Sequence, residues 1–270
     1  MSGAAGRGSA VAVRVTTTDV VATDRFLRLF GFRVAPDAGG GLWFTAGTGA
    51  PVWLEPAEPT GPEAPVAPEG FQRGPRALDL YTTDLEGVLA DAAAAGHAVS
   101  GPGTIAVGPV TMRQALVVGP DGFPVVLVES THRRSSALDD EPTRRCSEPH
   151  SVVWCVDDLD AEAARWQAAG WTKGPDLSFT EPAVSEYLGL PRSPVPIRMT
   201  MLSGPGVEPV RLELLEFPED PGAPMPAPAI AGLVFRVADA AERATVAAAL
   251  ELDAVTGRTP GGVAVELRPA

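Results

Sequence analysis

Three side chains on two short apolar segments could together move a proton on a small anionic molecule. Asp79 and Tyr81 stand two positions apart in residues 78–81, and strand alternation places both side chains on one face. Arg14 lies in an earlier segment in which every second residue is a valine. A guanidinium can neutralise an anionic group while a carboxyl or a phenol transfers the proton. An Arg–Asp pair on a sheet face is also commonly structural, so both interpretations remain open.

The composition argues against several classes of partner. The chain has 270 residues, of which 45% are hydrophobic, and a formal charge of −13. This acidic balance argues against nucleic acid, because phosphates need a basic surface. No apolar run approaches the ~18 residues of a membrane span, and residues 1–9 lack the apolar core of a signal peptide. We therefore expect a cytoplasmic globular protein with neither a nucleic-acid nor a membrane partner.

An imperfect repeat occurs four times and orders the whole chain. Each copy has a short apolar strand, an Asp-containing turn, an Ala-rich helix, an exit that is usually led by glycine, and a final apolar strand. The aspartates of the four turns are Asp19, Asp84, Asp158 and Asp239. Periodicity predicts strand–helix–strand–strand–strand for each unit. One such unit cannot cover its own apolar sheet, so the units should pair.

Proline-rich and charged segments divide the chain between the repeats. The four units cover residues 10–57, 76–130, 150–217 and 230–270. We predict that neighbouring units pair. That pairing gives a flexible tail at 1–9, a first domain at 10–130, a linker at 131–149 and a second domain at 150–270.

The third unit contains an insertion at residues 181–191. Its ending in Gly189, Leu190 and Pro191 is typical of a short helix that stops at glycine and proline. A lid over a sheet opening and a plain structural excursion are both consistent with this pattern.

Short motifs at equivalent places in the units resemble those of one superfamily. Residues 26–32 look like the exit of its first helix, and residues 119–129 are similar to the turn before its last strand. Residues 187–191 and 212–217 look like its epimerase branch. The resemblance is to the vicinal oxygen chelate superfamily, which includes glyoxalases, extradiol dioxygenases, methylmalonyl-CoA epimerases and bleomycin-resistance proteins. It implies an α+β fold of four βαβββ modules paired into two curved mixed-sheet cups that hold a small organic ligand.

The resemblance also implies where metal ligands would stand, at the start of a module's first strand and in the middle of its last. In the first half these positions correspond to residues that cannot bind a metal, namely Ala10, Ala77, Trp53 and Val126. In the second half they correspond to Ser151, Gly232, Glu213 and Glu266. Neither half has a complete ligand set, so we expect no metal cofactor.

A reduced metal site in the second half is the alternative. Its ligands would be His150, Glu213 and Glu266, since imidazole and carboxylates suit divalent metals. His150 is one residue from the expected position, so its side chain turns to the wrong face unless a bulge corrects it. Otherwise the two glutamates would pair with Arg236 or Arg211 across the sheet.

The resemblance also implies which residues bind the substrate in a cup. Trp53 would replace a metal ligand with an aromatic wall, and either Gln114 or Arg113 on a middle strand should face inward. The predicted substrate-binding residues are thus Trp53, Gln114 and Arg236.

Two functions follow from the resemblance and from the missing ligands. The first is a metal-independent isomerase, cyclase or lyase that transfers protons on a small aromatic or polyketide-like molecule of bacterial specialised metabolism. The second is a non-catalytic drug-binding protein of the bleomycin-resistance type, with apolar walls and few polar anchors. A metal-dependent lyase or dioxygenase that uses the second cup is a third alternative. Four units in one chain can supply both cups, so a monomer suffices, and a homodimer is also compatible.

Overall fold

The computed structural model describes residues 10–35, 42–45, 51–58, 65–107, 110–204, 210–220 and 222–269. The predicted tail at 1–9 lies outside these residues. The strands are β1 (Ala10–Thr17), β2 (Arg33–Val34), β3 (Leu42–Thr45), β4 (Val52–Pro56), β5 (Gly74–Thr82), β6 (Ala98–Val107), β7 (Val110–Val118), β8 (Pro124–Ser130), β9 (Cys146–Cys155), β10 (Thr172–Phe179), β11 (Ile197–Ser203), β12 (Arg211–Glu216), β13 (Ile230–Val237), β14 (Thr256–Arg258) and β15 (Ala264–Pro269). The α-helices are α1 (Val20–Leu29), α2 (Leu85–Ala94), α3 (Ala137–Asp140), α4 (Leu159–Ala168), α5 (Pro182–Tyr187) and α6 (Ala240–Ala249). None of the helices in this described part is long and apolar enough to cross a membrane.

The long helix of each unit begins at the aspartate predicted for it. The side chain of that aspartate accepts a hydrogen bond from the backbone N–H three residues later, at Asp19, Asp84, Asp158 and Asp239. A glycine with a positive φ angle follows the first three helices, at Gly31, Gly96 and Gly170. Glu251 takes this position in the fourth unit, with φ at 55°, which explains why the repeat is weakest there.

The strands form two mixed sheets, and each sheet contains two of the four units. The seven-stranded sheet has the order β14-β15-β13-β1-β4-β3-β2, and the eight-stranded sheet has the order β10-β11-β12-β9-β5-β8-β7-β6. The first unit pairs with the fourth through antiparallel β1 and β13. The second pairs with the third through antiparallel β5 and β9. This arrangement differs from the predicted pairing of neighbours within 10–130 and 150–270.

The connection between the second and third units is partly structured. The predicted linker at 131–149 contains α3, and its residues 146–149 already belong to β9. Strand β9 lies directly beside β5, with Leu78 opposite Val152. The length of this connection does not explain the pairing, because the third and fourth units are joined by the shorter segment 217–229 and do not pair.

One apolar core joins both sheets to the long helices. Phe26 of α1, Trp166 of α4 and Phe235 of β13 are fully buried in it. A separate apolar cluster on the other face of the eight-stranded sheet includes Val126 of β8 and Tyr187 of α5. Each curled sheet therefore keeps one face outside the shared core. We call these faces the eight-stranded cup and the seven-stranded cup.

Candidate functional site

The eight-stranded cup holds a cavity of about 220 Å³. Its polar lining includes Asp79, Tyr81, Gln114, His150, Arg211 and Glu213. Its apolar lining includes Ile105, Met112, Phe179, Tyr187, Met199 and Met201. An apolar wall with a few convergent polar groups is typical of a small-molecule site. This cavity is the candidate functional site.

Strand register places the polar groups of the site side by side. Asp79 on β5 is opposite Ser151 on β9, and Ser151 is opposite Arg211 on β12. Immediately beyond this pair the β5–β9 register skips His150, which is therefore the extra residue of a β-bulge. The His150 ring lines the cavity and stacks on Tyr81, with ring centroids 3.9 Å apart. The sequence required a bulge for His150 to face inward, and the structure contains it.

Ser151 links the Asp79 carboxyl to the imidazole. Its Oγ donates to Asp79 Oδ2 at 3.0 Å and lies 3.1 Å from His150 Nδ1. Asp79 is 4% exposed, and its Oδ1 is buried without a partner in the described residues. A serine hydroxyl has one proton, and Ser151 gives it to Oδ2, so Oδ1 is the oxygen at which this carboxyl can carry a proton of its own. The arrangement suits a carboxyl that gains and loses a proton.

Arg211 fixes the tautomer of the imidazole. Its Nη2 donates to His150 Nδ1 at 2.9 Å and to the Tyr81 hydroxyl oxygen at 3.2 Å. A ring nitrogen that accepts a hydrogen bond carries no proton, so the proton of neutral His150 is on Nε2. That Nε2 is buried and has no partner among the described residues. The Nε2–H of His150 is therefore without an acceptor in the described residues, and the Tyr81 oxygen, which accepts from Arg211, still has a proton to donate.

Two carboxyls in the cavity hold protons more strongly than usual. Burial, followed by the nearby Glu213 carboxylate, raises the pKa of Asp79 well above its ordinary value. Burial raises the pKa of Glu213 to about 7, although the Arg211 cation opposes the rise. Neighbouring carboxyls resist ionising together. Glu213 therefore titrates near neutral pH beside an Asp79 carboxyl whose pKa is raised.

The imidazole in the cavity stays uncharged. Burial lowers the pKa of His150 well below its ordinary value, and the guanidiniums of Arg211 and Arg134 lower it further. Burial also raises the pKa of the Tyr187 phenol well above its ordinary value. Arg211 is therefore the permanent cation among the lining residues that the structure describes.

The insertion forms α5, which packs on β6 and lines the cavity with Tyr187. Helix and strand come close because Gly103 lacks a side chain: a Cβ there would lie 2.9 Å from the Cβ of Ala183. Beyond the helix, buried Arg76 donates to the Leu188 carbonyl oxygen at 3.1 Å. The insertion thus takes the position of a lid.

Strand β7 turns one of its two polar candidates inward. Gln114 lines the cavity, whereas Arg113 forms ion pairs with Glu86 and Glu129. The structure therefore places Gln114 in the same cavity as Asp79 and Tyr81.

The other predicted residues lie in the seven-stranded cup. Arg14 forms ion pairs with Glu266 at 3.3 Å and with Glu55 at 3.7 Å. The Trp53 ring lies against the guanidinium of Arg268, with 3.9 Å between the ring centroid and Cζ.

Their position corrects the predicted catalytic set. Arg14 and Trp53 belong to the first unit and Arg236 to the fourth, where it is exposed on β13. The first unit pairs with the fourth, so these three side chains are separated from Asp79. Arg211 takes the place beside the proton-transferring groups that Arg14 was predicted to take.

The predicted alternative metal ligands do not come together either. His150 and Glu213 line the eight-stranded cup, but Glu266 lies on β15 of the other sheet. Both oxygens of Glu266 accept hydrogen bonds, from Arg268 at 2.6 Å and from Arg14 at 3.3 Å. Within the described ranges, no three His, Cys, Asp or Glu side chains are placed to hold one metal ion. The donors present do not fit the metal site that the resemblance implies.

Sequence reasoning missed the roles of Ser151 and Arg211. It identified Ser151 only as a position without a metal ligand and Arg211 only as an ion-pair partner of a glutamate. A signal for Arg211 was available, because Arg211 and Glu213 alternate along one strand just as Asp79 and Tyr81 do.

Comparison with solved structures identifies the fold. Glyoxalase I from Zea mays is 16% identical over 96% of this chain and 92% of its own, with a TM-score of 0.63. A putative dioxygenase from Bacillus subtilis is 10% identical over 98% of this chain and 86% of its own, with a TM-score of 0.64. The chain therefore has a glyoxalase-like fold, as predicted. No protein-family model and no curated protein sequence matches it.

Proposed function

We propose that the protein binds a small organic molecule in the eight-stranded cup and transfers protons on it as an isomerase, cyclase or lyase. One observation carries the proposal: the carboxyls of Asp79 and Glu213 face one cavity, and both have raised pKa values. Burying carboxyls with so few partners costs free energy, and such groups concentrate at catalytic sites. The likeness in fold to glyoxalase I and to a putative dioxygenase also supports an enzyme.

The two carboxyls take different roles in this proposal. Asp79, whose pKa burial raises, acts as the acid, with Ser151 and His150 hydrogen-bonded behind it. Glu213 ionises near pH 7 and acts as the base. A pair of groups whose surroundings separate their pKa values divides acid and base work in this way.

The proposed chemistry has no metal step. Of the cavity's candidate donors, His150 already accepts a hydrogen bond from Arg211 through Nδ1. The Arg211 cation near Glu213 also disfavours a divalent cation there. Metal analysis of the purified protein tests this point. A stoichiometric divalent ion that disappears in Glu213→Gln would contradict it.

A non-catalytic drug-binding protein is the second candidate. The wall formed by Met112, Met199 and Met201 favours it, because methionine side chains adapt to ligands of different shape. Such a protein would return its ligand chemically unchanged.

Deuterium exchange separates the two candidates. The protein is incubated in D₂O with a panel of enolisable aryl ketones, and label at the carbon beside the carbonyl is followed by mass spectrometry. Proton transfer predicts incorporation that Asp79→Asn slows by roughly 10²- to 10⁴-fold. The control Asp253→Asn changes an exposed carboxyl outside the cavity and should exchange like the wild type. A ligand that binds tightly and is recovered unlabelled would contradict the proposed catalysis.

A further inference from the structure

We infer that the ligand of the eight-stranded cup is an uncharged carbonyl compound whose carbonyl oxygen binds between His150 Nε2 and the Tyr81 hydroxyl. The inference rests on the proposed function, since it names the class of molecule that the same cavity takes. It starts from polar atoms in the cavity that the described residues leave without an acceptor.

Two of these atoms are hydrogen-bond donors on neighbouring side chains. The Nε2–H of His150 is buried and unpartnered in the described residues, because Arg211 occupies Nδ1. Tyr81 is 6% exposed, and its oxygen accepts from the same guanidinium, so its O–H still has a proton to donate. The two rings are stacked with centroids 3.9 Å apart, and both side chains line the cavity. Leaving buried donors unsatisfied is costly, and one carbonyl oxygen has lone pairs for both.

The charge balance of the cavity favours a neutral ligand. Glu213 ionises near pH 7, and its negative charge offsets the nearby Arg211 cation. Arg211 is also engaged with the Tyr81 oxygen and with two atoms of His150, Nδ1 and the carbonyl oxygen. A carboxylate ligand would add a buried charge without a free cation to compensate it.

The remaining wall is suited to hydrocarbon. Ile105, Met112, Phe179 and Met199 line a space of about 220 Å³, which favours a compact aromatic or alicyclic body. The polar donors would fix the carbonyl end, and this apolar surface would fix the rest.

This placement lets the carboxyls act on the carbon beside the carbonyl. The Glu213 carboxylate takes the proton as the C–H bond breaks, and the electron pair forms a C=C bond while the carbonyl π electrons move to oxygen. Hydrogen bonds from His150 and Tyr81 stabilise the charge that develops on that oxygen. Asp79 then gives its proton to the enolate. The product is neutral, and Glu213 now carries a proton while Asp79 is ionised.

Paired binding measurements test the inference. Acetophenone and benzoate both carry a phenyl ring and a C=O group, but only benzoate is anionic near pH 7. Calorimetric titration of the full chain should show acetophenone binding and benzoate roughly tenfold weaker or absent. His150→Phe keeps a ring against Tyr81 without the Nε2–H, and it should weaken acetophenone binding roughly tenfold. The control His97→Phe lies outside the cavity and should bind as the wild type does.

Tyr81→Phe provides a second variant if His150→Phe fails to fold, and it should also bind acetophenone roughly tenfold more weakly. Benzoate binding as tightly as acetophenone, or no binding of either, would overturn the inference. Unchanged acetophenone affinity in a folded His150→Phe or Tyr81→Phe variant would overturn it as well. Binding of acetophenone without exchange of its methyl hydrogens would uphold the inference and contradict the proposed acid–base function, so the two failures are distinguishable.

Discussion

The Asp79 carboxyl accepts one hydrogen bond, from Ser151, in a position that is almost fully buried. Ionising it there costs free energy, and the neighbouring Glu213 carboxylate adds repulsion. Alternation along one strand was enough to predict that Asp79 and Tyr81 share a face. Alternation also indicated that Arg211 and Glu213 share a face, but not that Arg211 lies near Asp79, because that depends on β12 pairing with the far side of β9.

The single substitution Glu213→Gln should make the free energy of unfolding depend less on pH. The pKa of Glu213 rises from an ordinary 4.5 to about 7 in the folded protein. Because the pKa of Glu213 is higher in the folded protein, this carboxyl stabilises the folded state fully below about pH 4.5. That stabilisation is lost as the pH rises to about 7. Glutamine does not titrate. The free energy of unfolding should therefore fall less in the variant than in the wild type over this pH range, by about 1–3 kcal/mol.

Urea unfolding at about pH 5 and about pH 8 measures this difference. The control Glu186→Gln removes an exposed carboxylate and should keep the wild-type pH dependence. Equal pH dependence in wild type and Glu213→Gln would show that the cavity does not raise the pKa of this carboxyl.

At the scale of single elements, local rules predicted the helices well and the strand details poorly. Each N-cap aspartate satisfies backbone N–H groups of its own helix, so the starts could be predicted without knowing any tertiary contact. The bulge that turns His150 inward arises from the pairing of β9 with β5. Its position therefore depends on a partner strand that is distant in sequence.

Gly103→Ala should loosen α5 over the cavity. The added Cβ would lie 2.9 Å from the Cβ of Ala183, closer than ordinary packing allows, so the helix must shift. We expect faster amide hydrogen exchange in residues 182–187, and a destabilisation of about 1–3 kcal/mol. Exchange with mass-spectrometric readout measures the local effect.

Gly257→Ala is the matched control for this prediction. A Cβ at Gly257 would have its nearest neighbour, in Leu252, at an ordinary 3.6 Å, and the residue lies in the seven-stranded sheet. Unchanged exchange in α5 for Gly103→Ala would mean that the close approach of β6 does not position the helix.

For the whole molecule, the repeat predicted the fold class but not which units pair. All four units have the same local pattern, and each exposes a first strand that can pair with another. Nothing in that pattern distinguishes one partner from the next. The pairing of β5 with β9 and of β1 with β13 decides which predicted site residues meet.

A disulfide between engineered cysteines tests the observed pairing. Ala12 on β1 is opposite Val234 on β13, and both are buried in one small cluster. Ala12→Cys with Val234→Cys should therefore crosslink, whereas Ala12→Cys with Ala77→Cys, which joins the first two units, should not. Burial raises the pKa of the native thiols Cys146 and Cys155 to about 12, so they should not compete. Crosslinking of the second pair but not of the first would contradict the strand order.

The proposed function depends on two cavity carboxyls that share a proton near neutral pH. Carbon-13 NMR titration of side-chain carboxyls measures this directly and requires no ligand. We expect one carboxyl to titrate at about pH 7 in the wild type. Glu213→Gln should abolish that titration and lower the pKa of Asp79, because the repelling carboxylate is gone. Titration of both carboxyls near pH 4, their ordinary range, would contradict the acid–base pair and with it the proposed catalysis.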